Sequence, residues 1–202
     1  MKRVDKLNRE VLRFLAGFIF LASCSGDDSP TATTADLQAS KVDDAFLALP
    51  IRQGGLPMTS RPVPHQQLDQ NAPVPMQNAL KDFIRGLPGI TIASTGTSLA
   101  GSEGWFIDPE LARTEPPRGV NGIGEFGHSH RPEDGSLHLF LPASYAEVVI
   151  GKRWGEPHAS TQQIAGPGSA YVLVFGPRDQ HELDAIWMIV QASYAFASGQ
   201  ID

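Results

Sequence analysis

The stretch from Glu125 to Leu141 constrains the fold most, because apolar and polar residues alternate there with the period of a β-strand on both sides of a turn. In its second half Leu137, Leu139 and Leu141 share one face and leave His138 and Phe140 on the other. In its first half His128 and His130 stand side by side on one face, with Phe126 beyond them. The intervening Arg-Pro-Glu-Asp-Gly-Ser is turn chemistry, so Ile123 to His130 and Leu137 to Leu141 are predicted to form a β-hairpin. A hairpin with a leucine face needs helices beneath that face, which commits the histidines to the opposite side. Register decides whether the rings meet. A five-residue loop, Pro132 to Ser136, pairs His130 with His138 and gathers all three rings, whereas a four-residue loop turns His138 away. Glu125 has the wrong parity to join His128 unless Gly127 forms a bulge, which glycine within a strand often marks.

The elements around the hairpin complete an α+β pattern. Ala79, Leu80, Phe83, Ile84 and Leu87 recur at helical spacing, ended by Gly86 and Pro88. Ile90 to Ala93 and Trp105 to Ile107 read as short strands, and 108–119, with its three prolines, as a loop. Pro142 suits the first turn of a helix running to about Trp154. Ala170 to Phe175 is a nearly continuous apolar run, as in a buried central strand. Asp179 and Glu182 then form a capping box before a helix that places Leu183, Ile186, Trp187, Val190, Tyr194 and Ala197 on one face. The order predicts a mainly antiparallel sheet with helices packed on one face.

The N-terminus lies outside that domain. Lys2, Arg3, Lys6, Arg9 and Arg13 precede an apolar run, Phe14 to Ala22, too short to span a bilayer as a stable helix and laid out like a secretory signal. Leu21-Ala22-Ser23-Cys24 resembles a bacterial lipoprotein signal, although Asp5 and Glu10 dilute its basic region. We therefore expect a signal peptide over 1–23 and a lipidated Cys24, which is the sole cysteine, so the exported domain has no internal disulfide. The other reading of Cys24 is a residue of the leader with no role. Ser25, where an aspartate would favour inner-membrane retention, points to the outer membrane of the cell envelope, on its periplasmic side. Residues 24–75, rich in Ser, Thr, Ala, Asp, Pro and Gln, read as a tether, and 76–202 as the folded domain. The whole chain carries −6, and losing the leader makes it more acidic, so nucleic acid is not an expected partner.

Histidine trades protons or binds metals near neutral pH. A lone histidine on a sheet is ordinarily a solvated polar residue, but His-x-His with a third in the facing strand is a site candidate. His128, His130, His138 and His158 are the candidate catalytic residues, with Glu125 beside them. Arg178 is added as a group that could bind an anionic substrate or merely a surface carboxylate, while His181 in a first helical turn reads as solvated. No Gly-x-Ser-x-Gly, Walker loop, paired-cysteine site or dinucleotide fingerprint offers rival chemistry.

Glu125, His128-x-His130, Leu137-His138-Leu139, Trp154-Gly155-x-x-His158, Pro177-Arg178 and Ile189-Val190-x-Ala192-Ser193 resemble, in order and spacing, the luciferase domain of fungal luciferases and their non-luminous relatives. The resemblance covers Glu125 to Ala197, somewhat over a third of the chain. Fungal luciferase oxidises a hydroxylated styrylpyrone with O₂, without an organic cofactor, and is membrane-attached through its N-terminus. For this chain the resemblance implies an oxygenase with O₂ as co-substrate and an enolisable aromatic or pyrone-like small molecule as partner. A histidine would act as base and its neighbours or Arg178 would hold the developing negative charge. The luminous reaction does not follow from the fold. Two alternatives stay open. One is a Zn or non-haem Fe hydrolase or oxygenase on the same histidines. The other is a non-catalytic, ligand-binding lipoprotein.

Overall fold

The computed structural model describes residues 44–115 and 118–202. The expected signal peptide and Cys24 lie outside the described residues. Among those described, no helix is long and apolar enough to cross a membrane.

Six strands form one antiparallel sheet: β1 (Ile90–Ser94), β2 (Glu103–Ile107), β3 (Glu125–Ser129), β4 (Leu137–Pro142), β5 (Gly155–Pro157) and β6 (Ser169–Val174). Their spatial order is β1-β2-β3-β4-β6-β5. The helices are α1 (Val74–Arg85), α2 (Ala143–Gly151), the short α3 (Thr161–Ile164) and α4 (Gln180–Ala197). Sequence periodicity anticipated this α+β architecture except for β5 and α3, each too short to show a period.

The leucine face of β4 organises the core. Leu137 pairs with Val174 and Leu139 with Val172. All four, with Leu141, Phe126 and Trp105, join Leu183, Ile186, Ile189, Val190 and Phe196 of α4 in one buried cluster. α4 packs on β3 and β4, and α1 packs on α4. α4 starts where the capping box predicts. The Asp179 carboxylate accepts the Glu182 N–H, while Glu182 reaches back to the N–H of Arg178, one residue before the cap. Burying an aliphatic side chain contributes about 1.5–3 kcal/mol each, and this layer holds the sheet flat against the helices.

The other face carries His128, opposite Gly104 on one side and His138 on the other, followed by Leu173 on β6 and Glu156 on β5. Phe140 and Tyr171 stand opposite one another on the same face. A sheet face this apolar and this rich in imidazole needs a cover, and part of residues 44–72 supplies it, with Thr59, Arg61 and His65 meeting Glu156 and His65 lying beside the other rings.

That segment corrects the expected tether. From residue 44 the chain is folded onto the domain. Phe46 stacks at 4.6 Å on Tyr145, and Leu49 is fully buried. The Trp154 indole donates to the Pro50 carbonyl, and the buried Arg52 lies 5.5 Å over the Phe175 ring and pairs with Glu182 at 3.6 Å. A narrow ribbon follows, with Thr59 bridging Gln67 and the Leu68 N–H donating to Met58 O. Gln67 then accepts the Gly176 N–H and donates its own backbone N–H to Asp134. The prolines that gave the stretch its linker composition sit between these anchors, where extended chain is stapled by side chains instead of by a ladder.

Candidate functional site

The hairpin brings the predicted histidines together. Its register pairs His128 with His138, two residues along β3 from the expected His130 partner. His130 N–H bonds to Ser136 O, so the turn proper is Arg131 to Gly135, still odd, and parity keeps all three rings on one face. Glu125 joins them because β3 bulges against β2: Trp105 faces Gly127 but Phe106 faces Glu125, so one extra β3 residue is accommodated. His158, just past β5, and Tyr171 on β6 complete the ring of aromatics, with His138–His158 centroids 4.8 Å apart and His158–Tyr171 5.1 Å.

His65 is the residue that sequence reasoning missed. It arrives on the ribbon of the covering segment and lies 5.5 Å from the His138 ring and 5.2 Å from that of His158. Arg178, in contrast, is not brought to the cluster. Its guanidinium is bound by Glu182, the Gln70 side chain and the Gln53 carbonyl, so it anchors the covering segment to α4. His181 is exposed, as expected.

Three of the five clustered imidazoles have a carboxylate behind them. Glu125 Oε1 lies 2.7 Å from His128 Nδ1, Asp134 Oδ2 lies 2.5 Å from His130 Nδ1, and Glu156 Oε1 lies 2.6 Å from His65 Nε2. An ionised carboxylate only accepts hydrogen bonds, so each of these ring nitrogens donates and the opposite nitrogen keeps its lone pair. Each carboxylate is itself held. Thr95 and Thr97 donate to Glu125, Ser136 donates to Asp134 through hydroxyl and N–H, and Thr59 and Arg61 donate to Glu156. Burial alone would raise these carboxyl pKa values, but hydrogen bonds outweigh it. Those from His128 and Thr95 bring Glu125 down, those from His130 and Ser136 bring Asp134 down, and Arg61, Thr59 and His65 do the same for Glu156.

The lone pairs converge. His128 Nε2 lies 3.1 Å and His130 Nε2 3.3 Å from His138 Nδ1. His138 Nε2 and His65 Nδ1 are buried with no hydrogen-bond partner. His158 Nδ1 accepts the Ser160 N–H, so its proton sits on Nε2. Burial holds His65, His128 and His138 below the ordinary imidazole pKa, His138 far below, and brings His158 to about 4. These four rings are therefore neutral at pH 7, and all but His158, whose Nδ1 accepts the Ser160 N–H, have a nitrogen open to a proton or a metal ion. The ligand atoms of His128, His130 and His138, and those of His65, His138 and His158, lie within 4.8 Å of one another, so His138 is common to two potential metal-binding triads.

A cleft of about 890 Å³ runs along β1, β2 and residues 108–124, and no histidine lines it. Of the clustered rings His158 is the least buried, at 8% exposure, which puts the approach to the cluster beside β5 and the ribbon.

The family model described as Luciferase domain matches residues 124–193. The luciferases of Armillaria gallica and Armillaria mellea are each 33% identical to this chain over 73 residues, which is 36% of this chain and 27% of each relative. The luciferase of Neonothopanus nambi shows the same identity and coverage. The matched stretch thus spans only about a quarter of the length of these curated relatives (27%). No solved structure matches the chain. The matched residues include Glu125, His128, His130, Asp134, His138, His158 and Tyr171, whereas His65 and its ribbon lie upstream.

Proposed function

We propose, from the match of residues 124–193 to the Luciferase domain model, that the protein is an oxygenase adding O₂ to an enolisable aromatic or pyrone-like small molecule at the histidine cluster. The observation that carries the reading is the set of three carboxylate-backed imidazoles buried together in one cluster. Such a pair is a general base: the ring takes the substrate proton and the carboxylate stabilises the imidazolium that results. His65 is the base in this reading, because its Nδ1 lone pair meets no other group and its ring lies beside His158, the least buried of the five.

The chemistry balances without an organic cofactor. Removal of the enol proton gives an anion that passes one electron to O₂; the two radicals join in a carbon–oxygen bond. The peroxide anion takes the proton back from the imidazolium, so substrate plus O₂ gives a hydroperoxide. The buried N–H groups around the cluster, His158 Nε2–H among them, stabilise the charge as it moves onto oxygen.

Oxygen uptake by the full chain, supplied with a panel of hydroxypyrones and phenolic enols and no flavin, haem or nicotinamide, tests this. His65→Ala and His128→Ala should each lower turnover by up to ~10²–10⁴-fold while melting stays cooperative. Uptake equal to wild type in both variants, or no uptake with any enol, defeats the reading.

We also propose that the domain is held on the bacterial envelope through lipidated Cys24. Cys24→Ser should release it from membrane fractions, and a variant that stays wholly with the membrane would place the anchor elsewhere.

A further inference from the structure

We propose that His128, His130 and His138 hold one divalent first-row transition-metal ion, with Glu125 and Asp134 orienting two of its ligands and a fourth position left open. The inference rests on the reading of the cluster as the reacting centre and supplies its cofactor. It starts from a mismatch of protons. Glu125 and Asp134 fix the N–H of His128 and His130 on Nδ1, so both Nε2 atoms present lone pairs to His138 Nδ1, at 3.1 and 3.3 Å. His138 Nδ1 carries at most one proton, which can be given squarely to one acceptor. The other lone pair is left facing nitrogen in a site where all three rings are buried. A cation at the centre of the three nitrogens removes the mismatch, since it uses every lone pair at once.

The dimensions fit. Tetrahedral zinc with nitrogen at about 2.0–2.1 Å puts its ligand atoms about 3.3 Å apart. The two measured nitrogen separations are 3.1 and 3.3 Å. Imidazole suits Zn, Fe, Cu and Ni rather than Mg or Ca. The carboxylate–histidine pairs are the arrangement that fixes tautomer and ring orientation in metal sites and raises ligand basicity. Tying His138 Nδ1 to an ion also gives a purpose to its other nitrogen. Nε2 then carries the ring's N–H, which fixes the tautomer of a ring whose outer nitrogen is buried without a partner.

The alternative triad, His65, His138 and His158, is less suited. His158 receives a backbone N–H at Nδ1, so its Nε2 is protonated and would have to lose that proton to become a ligand. The ion therefore belongs with the hairpin, and His65 is left free as the base.

Full-length protein purified without a histidine tag, stripped with chelator and titrated with Co(II) and then Zn(II), decides the matter. We expect one ion per chain, the intense visible absorption of four-coordinate Co(II), and a zinc-dependent rise in melting temperature. His128→Ala and His130→Ala should abolish all three, while His65→Ala and His158→Ala retain them. Should the alanine variants not fold, Glu125→Gln and Asp134→Asn keep every ligand and should weaken the ion by roughly 10–100-fold. No stoichiometric ion, two ions per chain, or loss on changing His65 and His158 but not His130 each overturns the assignment. Oxygen uptake that persists in metal-free protein overturns the ion and leaves the oxygenase standing. An ion held as described without oxygen uptake from any enol does the reverse.

Discussion

At the scale of residues, the site depends on what is missing as much as on what is present. Gly104 faces His128 across the β2–β3 pair, and a Cβ there would come within 2.9 Å of the Phe106 ring and 3.0 Å of Glu125 Oε2. The carboxylate occupies the space a side chain would fill. Gly104→Ala should therefore push Glu125 away from His128, lowering turnover more than stability, with a stability loss of about 1–3 kcal/mol as for other overpacked positions. Urea midpoints beside oxygen uptake would check this, and a variant with unaltered turnover would mean that Glu125 does not position the ring. The histidine pattern was legible because strand parity is written in the residues themselves: leucines at 137, 139 and 141 force His138 to the other face. Glu125 was legible only through the condition of a bulge at Gly127; the β2–β3 register has the bulge one residue earlier, with Gly127 paired to Trp105 and Phe126 skipped. Asp134 read as turn chemistry, and it does cap the turn through the Ser136 N–H. Nothing local to a Pro-Glu-Asp-Gly turn says that its other oxygen holds a histidine ring.

The elements tell a similar story with the opposite outcome for the covering segment. Helices and strands long enough to show a period were readable, whereas β5 and most of residues 44–72 carry none, one helical turn at 44–47 excepted. Composition assigned 44–72 to a linker because it is proline-rich and polar, yet its polar residues are the ones that bind. Arg52, His65 and Gln67 are each 2–3% exposed and reach across to the helix, the histidines and the turn. The signal was an arginine, a histidine and a glutamine among prolines, which no single-chain rule distinguishes from a solvated stretch. The consequence is testable by limited proteolysis. The stable fragment should begin before about residue 50, because cleavage needs exposed, unbonded backbone, whereas a stable core starting near Met76 would mean that the cover is loosely held. A fragment shortened to residue 76 by design should lose Leu49, Arg52 and His65 together and expose the imidazoles to water.

For the molecule as a whole, the buried rings set the response to acid. His65, His128, His138 and His158 all have folded pKa values below the ordinary imidazole value of about 6.5, with burial the largest cause, and His158 stands at about 4. The unfolded chain takes up these protons as pH falls through about 6.5, and the folded chain does not, so the unfolded state gains relative to the folded one. Above that pH the rings are neutral in both states and contribute no pH dependence. Stability should thus be level near pH 8 and fall between about pH 6.5 and 4, each ring within its window contributing up to about 1.4 kcal/mol per pH unit. Glu125, Asp134 and Glu156 act lower and add to the same trend. Their folded pKa values lie below the ordinary carboxyl values, so the stability they contribute is present above those values and is lost as pH falls through the folded ones. Acid should therefore unfold the domain in one continuous decline that begins with histidine, well before the carboxylates titrate. Melting of chelator-treated protein at pH 8, 6.5, 5.5 and 4.5 reads this directly. A melting temperature unchanged from pH 8 to 5 would mean that the rings accept protons inside the fold. It would then remove the premise that their nitrogens stand neutral and open for chemistry.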